Sequence, residues 1–365
     1  MGGVRVSRCA CTIILAVIAL SCAGCKDSGT DVPSLPCPES LQPCEAPLGQ
    51  WRLLGLENER IEAIGLHPCD PRVIYAGSQF DFSGGIQGKL FKSVDCGNTW
   101  DTLIVGGSYS AIIMDPFNPQ TIYAVPRAII KSVDGGLTWQ LAATGIRLDP
   151  ETRVVSLAID PKNAAILFAG TGGFGGGSLY RSVDGGVSWI DLNRGDLFGD
   201  GVISLGIHPS RTNVIYAGTA GRGRMLKTTD GGNRWILTGL GDTGDFVSDI
   251  LVHPGYPDVV FGALGFRGVW RSDDGGDTWK SFNDGLPEQV IAVKLGINPR
   301  SLELYSICTK DDDGWLYRRT LDGLSWERLG ISELRMSYYY SDMKLASDGS
   351  VLYFGAKGLY RVRLR

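Results

Sequence analysis

Histidine is scarce in this 365-residue chain, which contains only His67, His208 and His253. Each of them precedes a proline in a short turn, and corresponding turns elsewhere in the chain carry aspartate or asparagine. We therefore expect the three histidines to be interchangeable turn-forming residues. Neither a Ser-His-Asp triad nor a zinc or copper site rich in histidine is predicted. We predict no metal and no cofactor.

Excess positive charge is lacking as well. The formal net charge is −4 at pH 7, and it falls to −6 if residues 1–24 are removed, because that segment holds Arg5 and Arg8 but no acidic residue. A surface of this sign does not attract a phosphate backbone. We therefore expect no nucleic-acid partner.

The chain also lacks a long apolar run. The run from Cys9 to Leu20 is too short to span a bilayer permanently; it follows two arginines and ends in small residues, which predicts an export signal over residues 1–24. The segment Ala23-Gly24-Cys25 resembles the end of a bacterial lipoprotein signal, which implies lipidation at Cys25. Cys22 departs from the usual leucine, so plain secretion is the alternative. We expect the protein in the cell envelope, lipid-anchored and facing the periplasm or the cell exterior.

The segment after the signal, residues 25–48, holds five prolines and few apolar residues. This composition predicts an extended tether. Disulfides can form in an exported protein, and Cys37 and Cys44 are near neighbours in the tether that could pair. Cys308 lies in an apolar segment and is expected to be a buried free thiol.

Glycine is abundant, with 51 residues, which predicts many tight turns. The motif Ser-x-Asp-x-Gly-x-Thr-Trp, here called the box, occurs in six near-copies such as Ser132–Trp139, and the last copy, Thr320–Trp326, is one residue shorter. Its tryptophans are 39 to 50 residues apart. Short alternating strands and turns fill each interval, which is typical of a four-stranded β-propeller blade. The box aspartates are Asp95, Asp134, Asp184, Asp230, Asp274 and Asp322.

Seven strand-turn-strand openings follow one another from Ile61 to about Tyr340. The last unit ends before any box, and the segment WRLLGL at residues 51–56 resembles WERLGI at residue 326. We infer that the N-terminal strand completes the last blade, so that no sheet edge stays open. The predicted fold is all-β: a single seven-bladed propeller of four-stranded blades over residues 49–365.

The motif resembles the Asp-box (BNR) repeat of sialidases, xyloglucanases, sortilin-type receptors and photosystem II assembly factors. The resemblance covers six of the seven blades and implies the propeller fold. It does not imply one function, because these families differ in what they do.

Each residue type in the box suits a hairpin turn. Glycine supplies positive φ, the aspartate accepts hydrogen bonds from turn amides, and the tryptophan covers the turn with apolar surface. A calcium site needs six or more converging oxygens, whereas each box offers one carboxylate, so we predict a structural role. Cys96 replaces a box glycine and Cys69 lies in a turn expected on the same face, which predicts a disulfide between them.

The loops on the opposite face, called here the loop-rich face, differ most between blades and are the expected place for a ligand. Aromatic side chains beside charged ones can stack on sugars and hold hydroxyl groups. The candidate ligand-binding residues are Phe80, Asp81, Arg222, Arg224, Phe266, Arg267, Asp311, Trp315, Tyr338 and Tyr340. Asp249 and Lys294 are charged residues in a column of small residues near the central channel, and we expect a structural ion pair there rather than a site.

Three functions follow from the resemblance. Sialidases have an Arg-Ile-Pro motif near the start of the domain and three arginines around the ring, and this sequence has neither. A glycoside hydrolase needs two carboxylates at a defined separation, and xyloglucanases place the cleft between two propellers, of which this chain has one. We therefore expect a non-catalytic, monomeric propeller that binds a protein or glycan. A xyloglucanase-like hydrolase is the alternative.

Overall fold

The computed structural model describes residues 44, 48–80, 85, 87–173, 176–193, 199, 201–310, 313–329 and 342–364. This part of the chain forms seven four-stranded antiparallel sheets. They are arranged in a ring, which confirms the predicted seven-bladed β-propeller. No helix among these residues is long and apolar enough to cross a membrane.

The strands follow the chain blade by blade. The first strand, β1 (Trp51–Leu53), belongs to the last blade. Blade 1 contains β2 (Ile61–Leu66), β3 (Ile74–Ser78), β4 (Lys89–Ser93) and β5 (Asp101–Val105). Blade 2 contains β6 (Ile112–Met114), β7 (Ile122–Ala124), β8 (Ile130–Ser132) and β9 (Gln140–Leu141). Blade 3 contains β10 (Thr152–Asp160), β11 (Asn163–Gly173), β12 (Leu179–Ser182) and β13 (Ile190–Asp191).

The remaining blades repeat this order. Blade 4 contains β14 (Val202–Ile207), β15 (Ile215–Thr219), β16 (Arg224–Thr228) and β17 (Ile236–Asp242). Blade 5 contains β18 (Asp249–Val252), β19 (Val260–Ala263), β20 (Val269–Ser272) and β21 (Lys280–Ser281). Blade 6 contains β22 (Ile291–Ile297), β23 (Leu304–Lys310), β24 (Asp313–Arg319) and β25 (Glu327–Leu329). Blade 7 contains β26 (Met343–Leu345), β27 (Val351–Ala356), β28 (Gly358–Arg363) and β1.

The second strand of each blade is buried on both faces because it packs between two neighbouring blades. In β15 every residue is buried, and a side chain at Gly218 would come within 2.6 Å of Val247 in blade 5. A side chain at Gly77 in blade 1 would come within 2.4 Å of Tyr109 in blade 2. The Ala-Gly pairs of these strands therefore permit the close approach of the sheets.

The N-terminal strand closes the ring, as predicted. Trp51 pairs with Val362 and Leu53 with Tyr360 in an antiparallel ladder between β1 and β28. The ring of Trp51 also meets the ring of Phe354 edge to face, with centroids 6.4 Å apart. Blade 7 therefore takes its outermost strand from the start of the propeller.

The box aspartates stabilise their own turns. Asp134 accepts hydrogen bonds from the amide of Thr138 (2.9 Å), from its hydroxyl (2.6 Å) and from Ser132 Oγ (2.7 Å), while Gly135 and Gly136 adopt positive φ. In blade 3 the bonds from Ser188 lower the pKa of Asp184 to about 2. The backbone bond recurs at Asp95, Asp184, Asp230 and Asp274.

Asp322 differs from the other five box aspartates. No hydrogen bond reaches its carboxylate from the described residues, because its box is one residue shorter. The guanidinium of Arg319 takes over, donating to the carbonyls of Gly323 (3.0 Å) and Leu324 (3.3 Å). The predicted turn role of the aspartate therefore does not hold in blade 6.

The box also joins neighbouring blades. Tyr75 and Lys92 of blade 1 both donate to the carbonyl of Gly135 in the box of blade 2, at 2.7 Å each. Tyr123 and Lys131 contact Gly185 of blade 3 in the same way. The repeated turn is therefore a contact point between blades, which gives its recurrence along the chain a structural cause.

The three histidines form turns, as the sequence predicts. The Nδ1 atom of His253 accepts hydrogen bonds from the amides of Gly255 (3.1 Å) and Tyr256 (2.9 Å). Asn298 Oδ1 makes the equivalent pair of bonds in blade 6. His67, His208, Asp115 and Asp160 do the same in their own turns.

The disulfide predictions are wrong. Cys44 is bonded to Cys96, so neither the Cys69–Cys96 pair nor the Cys37–Cys44 pair can form in this state. Cys69 is itself in a disulfide, and Cys37 lies outside the described residues. Cys308 is a buried free thiol, as predicted.

The course of the chain before β1 explains the observed bond. The amide of Gly49 donates to the carbonyl of Arg363 at 3.0 Å, so this segment continues along the outside of blade 7. Arg361 of the same blade donates to the carbonyl of Cys96 at 2.8 Å, which places blade 7 against the box of blade 1. Cys44 therefore reaches Cys96 from the neighbouring blade.

Candidate functional site

Six of the ten candidate ligand-binding residues lie in the described part of the chain. All six are in or beside the connection between the second and third strands of a blade, which is the loop-rich face. They are Phe80, Arg222, Arg224, Phe266, Arg267 and Trp315. Asp81, Asp311, Tyr338 and Tyr340 lie outside the described residues.

Blades 4 and 5 bring four of these residues onto two neighbouring loops. We call the set Arg222, Arg224, Asp242, Asp245, Phe246, Phe266 and Arg267 the blade 4–5 cluster. Arg224 Nε lies 2.6 Å from Asp242 Oδ1, and its second nitrogen lies 3.2 Å from Oδ2. This hydrogen-bonded pair lowers the pKa of Asp242. Arg222 and Arg267 are exposed.

Asp245 organises the aromatic part of the cluster. Its carboxylate accepts hydrogen bonds from the amides of Phe246 (2.9 Å) and Phe266 (2.7 Å). The two phenyl rings meet edge to face with centroids 6.2 Å apart, and Phe266 is 58% exposed. The loop after β19 thus presents an apolar ring next to Arg267.

Trp315 is on the adjacent blade 6, near the start of β24. The guanidinium of Arg328 lies 5.0 Å from its ring centroid, a distance at which a cation–π interaction is favourable. Lys310 Nζ, at the end of β23, donates to the carbonyl of Glu288 at 3.0 Å. The amide of Ala292, in the inner strand of blade 6, donates to the carbonyl of Gly265 beside Phe266 at 3.0 Å, and Cys308 pairs with both Ala292 and Trp315 across the blade.

A buried ionic contact on blade 1 was not predicted from the sequence. Glu59, which is 7% exposed, accepts from Ser78 Oγ at 2.8 Å and from Lys89 Nζ at 2.6 Å. It holds the ends of β3 and β4 together on the loop-rich face. A glutamate before an inner strand gives no sequence signal for this role.

Glu62 was also missed. It occupies a register shift in the inner strand β2, where the corresponding residues of blades 3 and 4 are Val155 and Ile203. Burial raises its pKa to about 8, against the nearby charges of Arg60 and Arg153. Its Oε1 atom is buried without a hydrogen-bond partner among the described atoms. A carboxyl group at an inner-strand position that carries only valine, isoleucine or serine in blades 2–5 is the signal that could have found it.

The charged residues of the inner column form the predicted ion pair, with Lys294 Nζ 3.9 Å from Asp249 Oδ1. Asp249 Oδ2 also accepts from the amide of Leu295 in the next blade at 2.9 Å, and Asp342 makes the matching bond to Ile64. In blade 3, Ser156 donates to the carbonyl of Val202 at 2.8 Å. The column therefore joins neighbouring inner strands.

The described carboxylates do not form a metal centre. No group of three or more histidine, cysteine, aspartate or glutamate side chains in the described ranges could hold an ion together. Each acid of the loop-rich face discussed above other than Glu62 has a defined hydrogen-bond partner. The arrangement offers arginines, an exposed aromatic ring and one protonated carboxyl group.

No family model matches the chain. A curated xyloglucanase of Hypocrea jecorina (strain QM6a) is 25% identical over 351 residues, covering 77% of this chain and 40% of the relative. A xyloglucanase of Paenibacillus sp is 28% identical over 177 residues, covering 46% of this chain and 16% of the relative. The chain thus spans less than half the length of these curated relatives.

Two solved structures are similar in fold. The GH74 xyloglucanase from Xanthomonas campestris has a TM-score of 0.66 at 15% identity, over 86% of this chain and 53% of that chain. YCF48 bound to D1 peptide has a TM-score of 0.62 at 16% identity, over 88% of this chain and 99% of that chain. At these identities the likeness shows the fold: this chain is similar to xyloglucanases and to YCF48 as a seven-bladed β-propeller.

Proposed function

We propose that the protein is an exported propeller, lipid-anchored through Cys25, that binds a protein or glycan on its loop-rich face without catalysing a reaction. The observation that carries the proposal is the state of the described carboxylates on that face. Arg224 engages Asp242, and two backbone amides engage Asp245. Glu59 is buried against Lys89. Glycoside hydrolysis needs one protonated acid and a second carboxylate that is free to react. Asp242, Asp245 and Glu59 are instead held by protein groups.

The blade 4–5 cluster is the proposed ligand site. Phe266 offers an exposed ring for stacking, and the exposed Arg222 and Arg267 add positive charge beside it. Such a surface suits a ligand that combines a flat or apolar group with carboxylates or other acceptors. Asp245 pre-orders the loop, which reduces the entropy lost on binding.

The similarity to YCF48 supports binding of a protein segment. That structure is described as bound to D1 peptide, and this chain covers 99% of it. The solved xyloglucanase, in contrast, is matched over 53% of its length.

Binding is tested with the mature protein on a glycan array and in a screen against a peptide library. Phe266→Ala and Arg267→Ser should each lower the affinity for the ligand that the screens identify at least about tenfold, which is the cost of losing one well-placed contact. Leu324→Ala removes an even more exposed apolar side chain from the opposite face and should leave ligand binding unchanged. Equal binding by all three variants would contradict the proposed site.

The second candidate is a xyloglucan hydrolase. It is favoured by the curated xyloglucanase relatives and by Glu62, whose pKa of about 8 would keep a proton available at neutral pH. Release of reducing sugar from xyloglucan by the purified protein, abolished by Glu62→Gln, would replace the binding proposal with this one. We expect no release.

A further inference from the structure

The apolar side chains of the boxes are unevenly distributed around the ring. Five of them are strongly exposed on three neighbouring blades, and we call them the apolar arc. The arc consists of Val94 (54% exposed), Val133 (59%), Leu137 (80%), Val183 (56%) and Val187 (66%). Single exposed apolar residues are ordinary, but these occupy the second and sixth positions of consecutive boxes.

The same box positions are polar on the far side of the ring. Blade 4 has Thr229 and Asn233 there, and blade 5 has Asp273 and Asp277. The turn itself therefore does not require an apolar residue at either position. On blade 6, beyond blade 7 with its missing box, Leu324 is 90% exposed and continues the apolar side of the face.

Cationic side chains lie beside the boxes on both sides of the face. Lys92 and Lys131 lie beside the boxes of blades 2 and 3, where each donates to a box carbonyl. The box carboxylates of this side are occupied by hydrogen bonds within their own turns. Arg181 donates to the box of blade 4 in the same way. Blade 5 presents Asp258 and Asp277, whose side chains are 66% and 76% exposed and which pair with Arg211 and Lys227.

The chain that precedes the propeller joins it at this place. The disulfide from Cys44 ends on Cys96, inside the box of blade 1 and next to Val94 in the arc. About twenty residues separate Cys44 from Cys25, and a chain of that length reaches at most about 70 Å. A lipid on Cys25 would keep the boxes of blades 1–3 within reach of a bilayer.

We propose that the apolar arc is a membrane-docking surface, which inserts its valines and Leu137 into an anionic lipid interface while blades 4 and 5 stay in water. This inference rests on the lipid anchor of the proposed function. Insertion of the arc buries apolar area at the headgroup level, and Lys92 and Lys131 add attraction to anionic lipid. The loop-rich face then points away from the membrane, toward its ligand.

The test uses fluorescent probes on the mature, lipidated protein. Leu137→Cys and Val187→Cys are labelled with an environment-sensitive dye, and Asn233→Cys and Asp277→Cys are the matched controls at the same box position in blades 4 and 5. On vesicles of phosphatidylethanolamine and phosphatidylglycerol we expect a blue shift and quenching by spin-labelled lipid at positions 137 and 187. Positions 233 and 277 should keep their emission in water.

A second variant tests docking without a dye at positions 137 and 187. Leu137→Asp with Val187→Asp copies the residue that blade 5 carries at this position, so the fold should be retained with an unchanged melting temperature. A probe at Val133→Cys should then lose its shift on the same vesicles. Retention of that shift would contradict docking through the arc.

The outcomes separate the inference from the proposed function. The mass of the N-terminal peptide shows whether Cys25 is acylated. An acylated protein with all four probes in water overturns the docking surface and leaves ligand binding intact. An unacylated protein overturns the anchor and the docking together. A blue shift that appears without vesicles and grows with protein concentration overturns membrane docking in favour of a second copy of the chain.

Discussion

The hydroxyl of Tyr75, in the second strand of blade 1, donates a 2.7 Å hydrogen bond to the carbonyl of Gly135 in the box of blade 2. Tyr216 of blade 4 contacts Gly275 of blade 5 in the same manner, at 2.9 Å. Where phenylalanine replaces the tyrosine in blade 3, Arg181 donates to Gly231 instead, at 2.7 Å. The glycine carbonyl of the box thus accepts a hydrogen bond from a side chain of the preceding blade, which is a tyrosine in some blades and an arginine in another.

Tyr75→Phe should lower the free energy of unfolding by about 1 kcal/mol, which is the usual net value of one hydrogen bond. The loss stays small because Lys92 Nζ still serves the same carbonyl at 2.7 Å. Tyr75→Phe with Lys92→Met should cost more than the two single changes together, since the carbonyl then has neither donor. Denaturant unfolding of the four proteins measures this coupling.

Tyr360→Phe is the control for this series. Its hydroxyl donates to the carbonyl of Lys357 within the same blade, in an exposed position. We expect no measurable change. Strictly additive losses for Tyr75 and Lys92 would show that the contact between blades does not depend on the shared acceptor.

The fold could be predicted because each blade repeats the same local chemistry. The box predicts a hairpin, and the spacing of its tryptophans sets the blade length, so the sequence counts the blades and identifies the strand that closes them. The disulfide could not be predicted in the same way. Two turns on one face made Cys69 and Cys96 plausible partners, but the path of the chain before β1, which brings Cys44 to Cys96, has no repeat to reveal it.

The contacts within the candidate site could not be predicted, for a related reason. Candidate loops, such as the one carrying Phe266, can be identified from the residue types they contain. Their hydrogen bonds, however, depend on partners far along the chain, as with Asp245 and the amide of Phe266. The environment of Glu62 depends on Arg153 in another blade. Sequence spacing carries no information on such contacts between blades.

The disulfide between Cys44 and Cys96 should be found by peptide mapping under non-reducing conditions. Cys44→Ser should lower stability by about 2–4 kcal/mol, as expected for a loop of this length. Cys96→Gly removes the same bond but should cost less, because Cys96 has a φ of +66°, a conformation that glycine adopts without strain. Equal losses in thermal unfolding of the two variants would contradict a strained backbone at Cys96.

The turn histidines should make the protein sensitive to acid. Burial, together with the charge of Arg271, lowers the pKa of His253 below its ordinary 6.5. In the folded protein Nδ1 is unprotonated and accepts two amide hydrogen bonds. The unfolded chain then binds more protons than the folded one as the pH falls below about 6.5, so stability decreases from there downward. Urea unfolding between pH 7 and pH 5 measures the slope.

His253→Asn provides the matched control, because Asn298 performs the same turn in blade 6. This variant should keep its stability at pH 7 and show a shallower loss on acidification. His67 and His208 also have lowered pKa values caused by burial, so part of the slope should remain. An identical pH profile for the variant would exclude His253 as a contributor.

Deletion of residues 51–56 should lower the melting temperature by more than about 10 °C. The deletion removes β1 from blade 7, exposes the ladder of β28 from Tyr360 to Val362 and takes away the contact of Trp51 with Phe354. The lost apolar burial and the unpaired backbone groups each cost several kcal/mol of unfolding free energy. About 1 kcal/mol corresponds to a change of roughly 2–4 °C in the melting temperature of a domain of comparable size. Deletion of residues 26–36, which are almost twice as many but belong to the predicted tether, is the control and should leave the transition unchanged. Thermal unfolding followed by circular dichroism distinguishes the two, and an unchanged transition after loss of residues 51–56 would mean that the ring is stable without its closing strand.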